Sequence, residues 1–320
     1  MLTSLIQSIK QYYCLFSFIS FFSLFVLIGC EAETPLEYET KPERADKIEQ
    51  KETENNKGGS TAPMESHVFA KGVTVKRGWY DVDKQQKPED FMACWLITAS
   101  NMLQWWQDRY IEGGNELPPN TPNGIGSGPY KLAIFDDAIT KFKDLKYGGD
   151  IRNGLLWYIE GEDMQRTGHA SSMPNTGGYL KNLGDKRAEY SERDFPSNND
   201  WEKISTSEGA LKKFSEKLLE QLNRGVAIGV DIKTHVGLGG SLHAITLWGA
   251  DVNNVNEVTS IYITDSDDNE CQLVRCPIEV YDNDYFKTKE IAMKVPAGKT
   301  YVNGCTWAIL RMFYIAPPKE

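Results

Sequence analysis

Residues 91–106 read Phe-Met-Ala-Cys-Trp-Leu-Ile-Thr-Ala-Ser-Asn-Met-Leu-Gln-Trp-Trp. The apolar positions Trp95, Leu96, Ala99, Met102, Leu103 and Trp106 fall on more than one face of a helix. A surface helix needs only one apolar stripe, so this one must be enclosed by the rest of the fold. The loop residues Pro88-Glu89-Asp90 precede it, which puts Cys94 at a helix N-terminus. There, aligned peptide dipoles and unpaired amide hydrogens favour a thiolate. Free cysteine is also among the most buried residue types, so position alone leaves a structural thiol and a nucleophile both open. Trp105 and Trp106 read as core, although either ring could wall a cleft.

The segments C-terminal to this helix indicate the fold class. Residues 112–128 are rich in Gly, Pro and Asn and read as a loop, and residues 130–142 as a second helix. Residues 148–200 show little periodicity; His169 within them reads as a surface histidine. Ser205-x-x-Glu208 has the pattern of a capping box ahead of Leu211, Phe214, Leu218, Leu219 and Leu222 at helical spacing. Asn223-Arg224-Gly225 supplies the stop. Before the first helix, Val68, Val73 and Val75 suggest a short strand. Strand-like runs recur at residues 226–232, 243–251, 260–265, 272–274, 278–281 and 306–314. Helices first and antiparallel strands afterwards predict an α+β fold.

The N-terminus reads separately. After Lys10, residues 12–29 are almost continuously apolar and end in Leu27-Ile28-Gly29-Cys30, which resembles the lipobox of bacterial lipoproteins. The pattern implies cleavage before Cys30 and anchoring by acyl chains on that residue; by length alone the run also suits a membrane span. Glu31-Ala32-Glu33 resembles the surface-export signal of some Gram-negative lipoproteins, which implies an extracellular-facing location at the outer membrane or cell surface. Residues 30–66 hold few large apolar side chains and read as a disordered tether. The expected organisation is a signal peptide over 1–29, a lipidated tether over 30–66 and a folded domain over 67–320.

A net charge of −10 leaves no basic excess for phosphates, which argues against nucleic acid as a partner. Of six cysteines, Cys14 lies in the leader and Cys30 is the lipidation site. If Cys94 stays a thiol, Cys271, Cys276 and Cys305 form at most one bridge, whose pairing the sequence leaves open. No Cys-x-x-Cys or clustered His/Cys spacing indicates zinc. Residues 265–270 suggest a calcium loop, but Glu270 stands where glycine is required and Cys276 where glutamate is. No metal or cofactor is expected.

Two further polar residues complete a constellation. His243 opens one predicted strand and Asp265 closes its neighbour, so antiparallel pairing would bring carboxylate to imidazole. A histidine beside a thiol takes its proton and returns it to a leaving amine, while the carboxylate orients the ring. His243 lies 149 positions after Cys94, near the roughly 130–150 typical of papain-like enzymes.

These residues sit in blocks that resemble the IdeS/Mac family of immunoglobulin-degrading cysteine endopeptidases. The blocks are Gly78-Trp79-Tyr80-Asp81 with Lys84, the Cys94 helix with Asn101-Met102-Leu103 and Trp105-Trp106, His243 with Leu247-Trp248-Gly249-Ala250-Asp251, and Ile261-Tyr262-Ile263-Thr264-Asp265-Ser266-Asp267. The resemblance implies a papain-like fold, with an N-terminal helical part around the Cys-bearing helix and a C-terminal antiparallel β-sheet part. It implies Cys94 as nucleophile, His243 as general base and acid, Asp265 as orienting carboxylate and Asp267 as a supporting acid. Lys84 would complete the oxyanion hole with the backbone amide of Cys94; Gln85 and Gln86 are nearby alternatives. It further implies a cysteine endopeptidase with a thioester intermediate that cleaves a host immunoglobulin at an IgG-hinge-type site, or another extracellular protein.

There are departures. Trp95 stands where the streptococcal members have glycine, three further cysteines occur in the domain, and the middle of the chain matches poorly. Two other functions fit the same residues: a lipoprotein that binds a host protein without catalysis, and a transglutaminase-like acyltransferase.

Overall fold

The computed structural model describes residues 66–141, 148–161, 176–194, 206–233, 242–268, 270–283, 288–296 and 306–319, all within the unit Gly59–Glu320. The expected leader and tether up to residue 65, His169, Cys305 and the loop before Leu242 lie outside these residues. The described strands are β1 (Ser66–Phe69), β2 (Tyr190–Asp194), β3 (Ala227–Lys233), β4 (Leu242–Val252), β5 (Val258–Thr264), β6 (Val274–Asn283), β7 (Thr288–Lys294) and β8 (Thr306–Ile315). The helices are α1 (Cys94–Glu112), α2 (Ala133–Lys141), α3 (Ile151–Glu160) and α4 (Ser207–Asn223), with a short 3-10 turn at Lys181–Lys186.

Six strands close a ring. From β4 the pairing runs through β3, β8, β7, β6 and β5 and returns to β4, antiparallel at every step. β1 extends the sheet beside β4, and β2 pairs with β8. The expectation of an α+β, papain-like arrangement is therefore overturned: the described residues form a closed six-stranded antiparallel barrel with few helices, and are mostly β. β5 pairs with β4 through a short turn, but the pairing of β8 with β3 joins segments far apart in sequence. Alternating apolar residues reveal a strand but not its partner. A closed ring also leaves none of its six strands as an edge.

Strand alternation splits the core. Ile245 and Leu247 of β4, Ile228, Val230 and Ile232 of β3 and Ile261 and Ile263 of β5 share one apolar cluster with Phe214, Leu218 and Leu222 of α4. Ala244 and Trp248, on the other face of β4, pack with α1, α2 and α3. α1 lies so close to β3 that a Cβ on Gly229 would stand 2.8 Å from Met102 Sδ. Both Trp105 and Trp106 are fully buried, so neither walls a cleft.

Several local expectations shift. The cap of α4 is Thr206, whose hydroxyl accepts from the amide of Gly209, one position later than the pattern at Ser205 suggests. Its stop holds, with Arg224 as C-cap and Gly225 at φ +74°. The helix expected over 130–142 is shorter, and the two short runs at 272–274 and 278–281 are one strand, β6. Val75 is half exposed outside any strand, and β1 ends at Phe69.

Candidate active site

Cys94 is the first residue of α1. Its N-cap, Ala93, offers no side-chain acceptor and the first turn holds no acid, so the positive end of the helix is left for the sulfur. Alongside runs β4: Asn101 Nδ2 donates to Thr246 Oγ1 at 3.2 Å, and the backbone of Ala244 hydrogen-bonds the Cys94 sulfur. His243, next to Ala244, is buried and hydrogen-bonds the same sulfur.

The second ring nitrogen is also held. His243 Nε2 lies 2.6 Å from Asp265 Oδ1, with Asp265 at 1 % exposure. The amide of Asp267 donates to the same carboxylate oxygen at 3.1 Å. His243 Nδ1 stands 3.9 Å from Asp267 Oδ2, and Asp267 Oδ1 is 2.7 Å from the ammonium of Lys84. Lys84, 5 % exposed, is fixed through its backbone as well, since its amide donates to Ser266 O at 2.8 Å. Trp307 of β8 lays its edge against the imidazole, centroids 5.6 Å apart, and is itself buried. It keeps water from the His243–Asp265 pair.

Burial and charge oppose one another at all three groups. Burial alone would raise the Cys94 thiol, but the hydrogen bond and charge of His243, the charge of Lys84 and the Ala244 amide together lower it below its ordinary 9.0. Burial alone would lower His243, but the charge and hydrogen bond of Asp265, and then those of Cys94, hold it well above 6.5. Burial would raise Asp265, and His243 holds it below 3.8. All three shifts favour a thiolate–imidazolium pair beside an ionised carboxylate.

The sequence blocks interlock around this pair. Trp248 Nε1 donates to Thr264 Oγ1 at 3.0 Å, and Thr264 Oγ1 donates to Tyr80 O at 2.9 Å. The Gln272 amide donates to Asp81 Oδ2 at 3.0 Å. Asp251 is fully buried and holds His67 of β1 and Arg275 of β6, a role in assembling strands. Of the expected oxyanion donors, Lys84 lies in the site, and the backbone amide of Gln85 donates to Asp90 Oδ2 at 2.6 Å. Trp95, next to the nucleophile, turns into the core at 2 % exposure; a Cβ on Gly149 would stand 2.3 Å from its ring.

Sequence reading missed Trp307 and a half-buried ion network on the α1 face of the barrel. Asp231, the register partner of Ala244, accepts from Arg311 Nη2 at 2.6 Å, and the same nitrogen reaches Asp150 Oδ2 at 2.9 Å. Burial pushes Asp231 up to about 6 against the pull of Arg311. Neither had a signal in the sequence, because each depends on β8 lying beside β3.

Two groups of ligating atoms lie within 4.8 Å of one another among the described residues. One is His243, Asp265 and Asp267, whose atoms are engaged with Lys84 and with each other. The other is Asp81, Asp83 and Asp268. Burial, first of all, raises them to about 9, 6 and 7 respectively, with mutual repulsion adding to it. Asp265, first position of the candidate calcium loop, is committed to His243. Cys94, Cys271 and Cys276 are free thiols, Cys276 buried among the barrel side chains.

Residues 202–289, which hold His243, Asp265 and Asp267 but not Cys94 or Lys84, match the Mac-1 family (Mac 1). The chain is also similar to a protein of Streptococcus suis (strain P1/7) named IgM protease, with 24 % identity over 224 residues. That alignment takes in 62 % of this chain and 18 % of the streptococcal protein, so the chain spans less than a fifth of its relative's length.

Proposed function

We propose that this chain is a cysteine endopeptidase acting on an immunoglobulin, held at a bacterial surface by a lipid on Cys30. One observation carries the chemistry: buried His243 hydrogen-bonds both Asp265 and the sulfur of Cys94, the first residue of α1. Similarity to a protein named IgM protease, and to the Mac-1 family, supports the substrate class.

The thiolate of Cys94 attacks the scissile carbonyl carbon, and the carbonyl electrons move to oxygen. Lys84 and the backbone amide of Cys94 stabilise that oxyanion, with Asp267 fixing the ammonium. As the intermediate collapses the C–N bond breaks, and His243 gives its proton to the leaving amine. His243 then takes a proton from water, which attacks the thioester and releases the acid, restoring the thiolate. Asp265 stays ionised throughout and holds the imidazole ring.

Incubation of the full chain with human IgM and human IgG under reducing conditions, with new termini read by mass spectrometry, tests this reading. Wild type is expected to cut at least one of them, and Cys94→Ala and His243→Ala to lose at least about 10³-fold in rate. Full cleavage by either variant overturns it. Cross-linked products without new termini would assign acyl transfer instead. Release of the chain from membranes on Cys30→Ala tests the anchor.

A further inference from the structure

We propose that Phe91 and Leu242 form an apolar mouth to the nucleophile, taking a large apolar side chain of the substrate polypeptide within about three residues of the scissile bond. This rests on the endopeptidase reading. The geometry starts from α1, which runs beside β4 in the same sense. Cys94 meets Ala244 at one end and Asn101 meets Thr246 further along. Alternation along β4 puts Leu242 on the same face as Ala244, Thr246 and Trp248. Two residues along a strand cover about 7 Å, so Leu242 stands beyond the point where the helix begins. Nothing of α1 covers it, and it is 69 % exposed.

Phe91 stands three residues before Cys94 and is 63 % exposed. Its turn is fixed. Asp90, fully buried, accepts from the amides of Gln85 and Lys87 at 2.6 and 2.8 Å and from the hydroxyl of Tyr130 at 2.7 Å. The amides of Phe91 and Ala93 donate to Lys87 O and Asp90 O at 3.0 and 2.9 Å. The aromatic ring is thus carried outward on a rigid support, so binding to it orders little of the protein. Phe91 precedes the nucleophile by three residues and Leu242 precedes by two the Ala244 that meets it, so a chain that brings a carbonyl to the sulfur comes within reach of both side chains. Burial of apolar surface there favours an apolar residue at that point of the substrate.

Two maleimides that differ in one apolar group test the mouth without knowledge of the substrate. Labelling of Cys94 in the full chain by N-benzylmaleimide and by N-methylmaleimide is followed by peptide mass spectrometry, with glutathione as the free-thiol reference. In wild type the benzyl-to-methyl rate ratio should exceed that of glutathione by about tenfold, the value of partly burying one such group. Phe91→Ser and Leu242→Ser should each lower the ratio, and the double variant should bring it to the glutathione value. Val255→Ser, an exposed apolar position in the turn after β4, should leave it unchanged. A wild-type ratio equal to that of glutathione, or a double variant with an unchanged ratio, overturns the inference. Cleavage retained in Cys94→Ala would sink the endopeptidase reading while the ratio still reports on the mouth, so the two failures are distinguishable.

Discussion

Asp265, buried, and Asp81, half-buried, are carboxylates with opposite fates. For Asp265 the cost of burial is more than offset by the His243 cation, and its pKa falls. For Asp81 the amide of Gln272 offsets only part of the cost, and its neighbours are further carboxylates, so it rises to about 9. Asp265→Asn keeps an acceptor and removes the charge that holds His243 protonated. The substitution should cost about 10²–10⁴-fold in kcat/KM and move the alkaline limb of the pH profile to lower pH. An unmoved limb would count against Asp265 as the orienting group. Asp81 acts on stability with the opposite sign. The folded state holds its proton more tightly than the unfolded chain, whose carboxyl titrates near 3.8, so stability is lost as pH rises from there towards about 9. Asp81→Asn, which still accepts from Gln272, should match wild type near pH 4 and melt higher at pH 8, by about 2–4 °C per kcal/mol gained. A lower melting point at both pH values would contradict this.

At the scale of elements, what the sequence made legible depended on local signals. α1 and α4 were readable because their apolar residues repeat and their ends are marked. α3 was missed although its marks are present: Asp150 caps it by accepting from the Arg152 amide at 2.9 Å, and Gly161 ends it in the left-handed region. Surrounding glycines and aromatics hid a run, Leu155 to Ile159, that is buried throughout. β2 and β7 were missed because charged residues occupy much of them; their order comes from pairing with β8 and β6. Asp150 also ties α3 to the barrel through Arg311. Asp150→Ala should therefore cost more than a cap alone, which is about 1 kcal/mol. Thermal melting checks this, and a loss of only about 1 kcal/mol, the cap alone, would show the tie to be idle.

For the whole molecule, the residues singled out in the sequence come together on a fold that the sequence did not reveal. Cys94, His243, Asp265, Asp267 and Lys84 meet because the blocks that hold them share hydrogen bonds across long sequence separations, as Thr264 does with Trp248 and Tyr80. The closed barrel was not legible, because closure is a property of strand partners and not of any strand. Central to the account is that Cys94 and His243 form one ionised pair. The direct measurement is the rate at which iodoacetamide alkylates Cys94, followed across the pH range where carboxylates, imidazoles and thiols titrate, in wild type and in His243→Ala. Wild type should react below the ordinary thiol value of 9.0, and His243→Ala should react only at or above it, since burial then acts with less opposition. Superimposable profiles, or a wild type that reacts only near the ordinary value, would contradict the pair and the catalysis built on it.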